Sequence, residues 1–421
     1  MNTATQPPGF RSIPYMGVIY VVAEAMKLGF HNGHPQWCNL GQGQPEVGPM
    51  RGAPPRIHNI ALSPEDHAYG PLGGTEPLRE AIAAHYNRLF RQGRASQYTA
   101  ENVSVASGGR LALTRIFSSL DRGRIGYQVP DYTAYEDMMV SSLHRVEPVL
   151  IATKREDAFS LPAEALARAI DTHKLTAYIF SNPCNPTGHV VAGQSLSDYV
   201  RIARERGCAL VLDEFYSQFI YGQDGSPGDG PVSAAAYVED VDRDPVLLVD
   251  GLTKGFRYPG WRLGWTVGPK SMIETLGRAA SAIDGGPPMP IQRAALTVFH
   301  PARADQETAA LRHVFAEKRT LMLDRLASMG VTFTTKGLST FYLWGNIAGL
   351  PAPLDSAERF FREALARKVL TVPGAFFDVN PNKQRPGTSP FSQWMRFSFG
   401  PPRENVELGL DRLASMVQDA R

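Results

Sequence analysis

Four separated segments of this 421-residue chain carry side chains that could do chemistry, and each follows a short apolar run. In the first, SNPCNPTG (Ser181 to Gly188) comes directly after TAYIF; its two X-Pro steps lock an extended turn that holds the Asn185 amide rigidly beyond the run. In the second, VLDEFYSQFIY, Asp213 ends an apolar run and Tyr216 follows three residues later. The third, DGLTKGFRYPGWRLGW, groups Lys254, Arg257 and Arg262 with Gly260 and Trp261. The fourth, VASGGRLAL, leads through Ser107, Gly108, Gly109 and Arg110 into a helix. Glycines at such a turn let backbone N–H groups approach an anion, and the helix dipole adds favourable potential. Taken singly, these are equally a stiff loop, a capping carboxylate, a solvated lysine and an ordinary strand-to-helix turn. Taken together they offer an amine, a carboxylate, a phenol, an amide, guanidinium groups and an anion-binding turn.

The apolar runs are the elements that must position these groups. From about Thr75 to Gly268 they alternate with amphipathic stretches, the pattern of strands joined by helical crossovers in a largely parallel sheet. Strands are predicted over Val103 to Ala106, Ala177 to Phe180, Ala209 to Leu212, Val246 to Val249 and Trp265 to Val267, and a helix after Thr75, with Pro77 in its first turn. After Gly286 the texture changes to longer helices, then GLSTFYLWGN, another helix and MRFSFG. The expected fold is therefore α/β. A large domain over residues 48–290 has a mostly parallel central sheet flanked by helices, and residues 1–47 together with 291–421 form a smaller α+β domain. Open sheets of this kind gather ligands at the carboxyl ends of their strands, where all four segments lie.

In these segments and several others the chain resembles the fold-type I pyridoxal-phosphate (PLP) enzymes of the class I/II aminotransferase family. The resemblance runs in order through NLGQGQPEVG, YGPLGGTEPLREAIA, VASGGRLAL, PDYTAY, SNPCNPTG, DEFY, TKGFRYPGWRLGW, GLSTFYLW, VPGAFF and MRFSFG, nearly the whole chain. It implies that Lys254 binds the cofactor as a Schiff base and later moves a proton at the substrate Cα. Asp213 would pair with the pyridine nitrogen and keep it protonated, which makes the ring an electron sink. Asn185 and Tyr216 would bond the ring's phenolate oxygen, and Tyr132 would stack on its face, with Tyr135 as packing. The phosphate would meet the backbone of Gly108, Gly109 and Arg110, the Arg262 guanidinium and Thr253, with Tyr69 reaching it from the other subunit of a homodimer. Arg396 would clamp the substrate α-carboxylate, next to Gly43, where a side chain would obstruct the substrate.

The chain departs from the family pattern at Gly251, where a serine often binds the phosphate; Thr253 and Arg110 could compensate, and Arg257 is open to phosphate, substrate or a surface salt bridge. SAIDGGPPMP (residues 281 to 290) has no arginine before Gly285, which disfavours an aspartate- or glutamate-selective donor site. There Asp284 could favour a cationic or polar amino acid, or cap a loop. An aromatic lining from Tyr15, Tyr20 and Phe341 could equally accept an apolar side chain. The expected reaction is amino transfer between an L-amino acid and a 2-oxo acid, with a PLP lyase, cyclase or amino-acid oxidase as the alternative on the same residues. A ligand sensor built on this fold would bring a DNA-binding domain, and no helix-turn-helix precedes the fold in this sequence.

Composition agrees with a small-molecule enzyme. The 43 basic and 41 acidic residues are dispersed, so no basic tract points to nucleic acid or an anionic membrane. No stretch reaches the roughly 18 apolar residues of a membrane span, and a cytoplasmic location is expected. Cys38, Cys184 and Cys208 are too few and scattered for a disulfide framework or a zinc site, and no metal is expected. Cys184 is notable for lying inside SNPCNPTG, but is expected to be a packed thiol.

Overall fold

The computed structural model describes residue 9 and residues 17–421. Helix α1 (Gly17–Met26) and the short strand β1 (Cys38–Asn39) precede α2 (Glu76–Phe90). The alternating region then runs β2 (Val103–Ala106), α3 (Gly109–Ser119), β3 (Gly123–Val129), α4 (Ala134–Ser142), β4 (Val146–Ala152), α5 (Ala163–His173), β5 (Leu175–Ser181), α6 (Gly193–Arg206), β6 (Ala209–Asp213), β7 (Val246–Gly251) and β8 (Gly264–Val267). Helices α7 (Lys270–Ile283), α8 (Met289–Val298) and α9 (Pro301–Met329) follow. The chain ends with β9 (Thr332–Phe333), β10 (Tyr342–Asn346), α10 (Ala357–Ala366), β11 (Val369–Leu370), β12 (Val372–Pro373), β13 (Trp394–Ser398) and α11 (Arg403–Asp419).

All five predicted strands form. They join β3 and β4 in a seven-stranded sheet of order β2-β8-β7-β6-β5-β3-β4. The ladders from β4 through β7 are parallel, and β8 runs antiparallel to both of its neighbours. The apolar runs are near-continuous because both faces are covered: Ile179, Val211 and Val249 pack into one cluster with α3 and α4, while Tyr178, Leu210 and Leu248 pack into another with α2 and α6. Strands β3 and β4 escaped the sequence pattern because GRIGYQV and VEPVLIA mix glycine, proline and charge into their apolar runs.

A four-stranded sheet, β12-β13-β10-β9, is antiparallel throughout. Its strand β10 lies between β9 and β13, with Trp344 opposite Arg396. Strand β1 pairs in parallel with β11 in a separate two-stranded sheet, and β11 leads directly into β12 of the four-stranded one. The carboxyl ends of β2, β3, β5, β6 and β7 therefore open toward Gly43 and Arg396. Among the described residues, no helix is long and apolar enough to cross a membrane.

Candidate active site

A cavity of about 570 Å³ lies at those strand ends. Gly43, Gly109, Arg110, Tyr132, Asn185, Asp213, Tyr216, Thr253, Lys254, Arg262 and Arg396 all line it. Most are delivered by a strand or the turn after it; Gly109 and Arg110 open α3 directly after β2, and Arg262 stands just before β8. Register explains the floor: Asp213, the last residue of β6, lies opposite Ser181 of β5 and Val249 of β7, so the Asn185 turn and the Lys254 turn flank it.

Asp213 is 5% exposed, and burial pushes its carboxyl up to about 6 against the Tyr135 hydroxyl, the Phe215 amide and the Lys254 charge, which all favour the carboxylate. The Tyr135 hydroxyl donates to its Oδ2 at 3.1 Å. Tyr135 was expected only to pack, and this contact corrects that. The signal was present in PDYTAY: Tyr132 lies just before the cap of α4 and Tyr135 in its first turn, and their rings meet edge-on at 5.5 Å.

Burial also brings the Lys254 amine down to about 7; the Arg396 guanidinium adds to this, and Asp213 opposes it. Its Nζ donates to the Gly43 carbonyl. Arg396 is 2% exposed and holds both ends of its fork on the chain, Nη1 to Asn185 Oδ1 at 2.9 Å and Nη2 to the Gly41 carbonyl at 2.8 Å. Asn185 is steadied by its own amide, which donates to Ser181 Oγ at 3.1 Å.

The anion cradle is the N-terminus of α3. Among the described residues, the amides of Gly109 and Arg110 meet no acceptor within the chain, as expected for a first helical turn. The Gly108 amide, by contrast, donates to the Ala106 carbonyl at 2.7 Å and so is not free for an anion, a correction to its expected part. What Gly108 supplies is room: its φ is +99° and the Arg262 guanidinium crowds the place its Cβ would take. Arg110 binds through Nε to the Tyr132 hydroxyl at 3.1 Å.

The departure at Gly251 has a local cause. A Cβ there would stand 2.7 Å from the Leu263 carbonyl oxygen and 2.8 Å from Cε1 of Phe215. The Phe215 ring also covers Gly109, so an aromatic edge occupies the space of the missing serine.

Three other expectations are corrected. Arg257 is fully buried and paired with Glu307 at 2.6 Å, with Nη1 on the carbonyls of Glu46 and Gly48; it faces neither the cavity nor solvent. Asp284 is held by buried Arg115, whose Nη2 meets both carboxylate oxygens at 2.8 and 3.0 Å, and it accepts from the Gly286 amide at 3.3 Å; the loop cap forms as expected, and the role toward a cationic or polar substrate is the part corrected. Of the proposed aromatic lining, Tyr15 is outside the described residues, Tyr20 bonds Arg362 at 2.7 Å, and Phe341 is buried against Tyr216. The lining comes instead from Val18, Ile19 and Val22 of α1, with Leu113, Tyr342 and Phe377. Burial pushes the Cys184 thiol up to about 12, so it is a packed thiol as expected. No metal-ligand cluster occurs among the described residues.

A parallel sheet with an amine, a buried carboxylate and an anion cradle at its strand ends defines a fold-type I PLP enzyme. Residues 35–413 match the family of class I and II aminotransferases, and the chain belongs to that family. It is 29% identical to the aspartate/prephenate aminotransferase of Thermus thermophilus over 85% of each chain. It is 26% identical to an aromatic-amino-acid aminotransferase of Thermococcus litoralis over 91% of this chain and 92% of that one. The fold matches the structure of Thermus thermophilus aspartate aminotransferase with maleate at a TM-score of 0.77 and 23% identity, over 97% of this chain and 100% of that one. The protein is a PLP-dependent aminotransferase that moves an amino group between an amino acid and a 2-oxo acid. The unpartnered Gly109 and Arg110 amides, the buried Asp213 and the near-neutral Lys254 fit that cofactor.

Proposed function

We propose that this aminotransferase works through Lys254, Asp213 and Tyr216, with Arg396 clamping the substrate α-carboxylate. The observation that carries the reading is one amine: Lys254 lies in the cavity wall under the influence of both Arg396 and Asp213, and burial brings it to about 7. Bound here, PLP supplies a carbonyl that takes up the amino group and a ring that accepts the electron pair left when a Cα bond breaks. Lys254 would hold the cofactor, then take a proton from the substrate Cα and deliver it to the cofactor carbon that bore the carbonyl; an amine close to neutrality serves both the uptake and the delivery. Asp213, favoured as a carboxylate by Tyr135 and Lys254, pairs with the pyridine nitrogen. Asn185 and Tyr216 hold the phenolate oxygen and Tyr132 covers the ring face. The Gly109 and Arg110 amides, Thr253 and Arg262 hold the phosphate, and Gly43 leaves room for the substrate.

The apolar part of the cavity lining, Val18, Ile19, Val22 and Phe377, supports a donor with an apolar or aromatic side chain rather than aspartate or glutamate. Arg110 supports a second reading, since it lines the cavity and, among the described residues, its guanidinium is bonded through Nε alone, leaving it able to hold a side-chain carboxylate. Adding single amino acids to the purified holoenzyme and following the visible cofactor band separates the two. Phenylalanine or leucine bleaching the band at least about tenfold faster than aspartate, with release of the matching 2-oxo acid, supports the first. The reverse order establishes the second. Lys254→Ala should lack the band.

Tyr69 is fully exposed at 103%, on a segment with exposed Leu62 and Leu72 that packs by α8, where Leu296 is also exposed. These side chains support a homodimer in which Tyr69 reaches the partner's phosphate site. Sedimentation at micromolar concentration tests it, and a fully active monomer would exclude it. The three free, buried cysteines accord with a cytoplasmic location. A division near residues 47 and 290 accords with the separation of the seven-stranded sheet from the four-stranded and two-stranded ones.

A further inference from the structure

Tyr342, on β10, is bound into the cavity wall from two sides. Its hydroxyl lies 2.9 Å from that of Tyr216. The Arg396 guanidinium carbon stands 4.0 Å from its ring centroid. The hydroxyl is also 3.7 Å from where a Cβ on Gly43 would be, so the ring spans from the expected carboxylate clamp to the phenol expected to touch the cofactor. The ring is fully buried, and the titratable groups facing it are Arg396, Tyr216 and Tyr132.

A phenol carries one proton. If Tyr216 directs its proton to the phenolate oxygen of PLP, the 2.9 Å contact persists only with Tyr342 donating to the Tyr216 oxygen. A hydroxyl that accepts one hydrogen bond donates the next more strongly, because each bond polarises its neighbour. Arg396 over the Tyr342 ring draws on the π face, which makes Tyr342 a better donor.

We propose that Tyr342 is a positioning residue that acts through Tyr216: it donates its hydroxyl proton to Tyr216 and so strengthens the bond that Tyr216 gives to the cofactor's phenolate oxygen. The proposal rests on the role assigned to Tyr216 above. Its consequence is electronic. A strong hydrogen bond to the phenolate oxygen competes with the proton that oxygen shares with the neighbouring nitrogen. The visible band of the resting enzyme should therefore change with pH at a lower midpoint than it would without Tyr342.

The test is a pH titration of the visible absorption of the holoenzyme in wild type, Tyr342→Phe, Tyr216→Phe and the double variant. Phenylalanine at 342 keeps the ring under Arg396 and removes only the hydroxyl, and a thermal unfolding scan checks that the fold is intact. The expected result is a midpoint raised by about half a unit in Tyr342→Phe, the scale of one neutral hydrogen bond acting at second hand. Tyr216→Phe should raise it further, and adding Tyr342→Phe to it should change nothing, since the intermediary is gone. An unchanged midpoint in Tyr342→Phe, or the same shift in both backgrounds, overturns the proposal. A lowered midpoint also overturns it, because Tyr216 would then have been spending its proton on Tyr342. A midpoint unmoved by Tyr216→Phe removes the role assigned to Tyr216 itself, which separates that failure from failure of the relay.

Discussion

Arg396 and Asn185 are joined by a 2.9 Å hydrogen bond from Nη1 to Oδ1, so the guanidinium expected to receive substrate and the amide expected to touch cofactor share one contact. The two come from β13 and from the turn after β5, and this bond ties the small sheet to the large one at the cavity. Substrate arriving at Arg396 must compete with, or add to, that bond, and the effect passes directly to Asn185.

Arg396→Lys should raise KM for the amino acid by about 10- to 100-fold, because a planar two-pronged donor becomes a point charge that cannot serve Asn185, Gly41 and a carboxylate together. The chemical step should suffer less. Single-turnover kinetics with the preferred donor separate the two terms, and an unaltered KM would remove Arg396 from the substrate.

The Lys254 amine at about 7 sets the pH dependence of cofactor capture, since only the neutral amine attacks a carbonyl. The rate of PLP uptake by cofactor-free protein should rise about tenfold per pH unit below about 7 and flatten above it, whereas an ordinary lysine would still be climbing at pH 9. Asp213→Asn removes the one named influence that favours the charged amine, so the break should move to lower pH. Stopped-flow mixing across a pH series checks both directions.

Much of this site was legible because its parts are local. Apart from Tyr69, each expected residue lies within a few positions of one end of a strand, and apolar runs such as VLLV and ALVL announce those ends without help from the rest of the chain. What was not legible depends on partners far away in sequence. Arg257 lies three residues beyond Lys254 and reads as equipment of the site, but its charge is answered by Glu307, fifty residues on, and by carbonyls near Gly48. Asp284 likewise gave no sign of Arg115, which faces it from α3. The α1 wall was hidden for the opposite reason: GVIYVVAEAM is an apolar helix segment with nothing to distinguish a cavity face from a core face.

The burial of Arg257 makes it a stability residue. Glu307→Gln leaves a guanidinium that is 0% exposed without its counter-charge, and the expected cost is about 3–5 kcal/mol in urea unfolding of the cofactor-free protein. PLP affinity should be nearly unchanged in whatever fraction remains folded. A large loss of affinity at unchanged stability would return Arg257 to the phosphate site.

Gly251→Ser introduces the serine that the family resemblance led one to expect at the phosphate, and here it should fail. The new Cβ would meet a backbone carbonyl at 2.7 Å and the Phe215 ring at 2.8 Å. The ring can turn aside, but the Leu263 carbonyl belongs to the β7–β8 edge, where Leu252 N donates to it at 3.0 Å, and cannot yield without loosening that contact. Overpacking of this kind costs about 1–3 kcal/mol, so Gly251→Ser should lower the unfolding midpoint and bind PLP no more tightly than wild type. Adding Phe215→Ala should recover only part of the stability, because it relieves the ring and leaves the carbonyl. A serine variant that is both as stable as wild type and tighter for the cofactor would mean that the Phe215 ring does not occupy the phosphate cup.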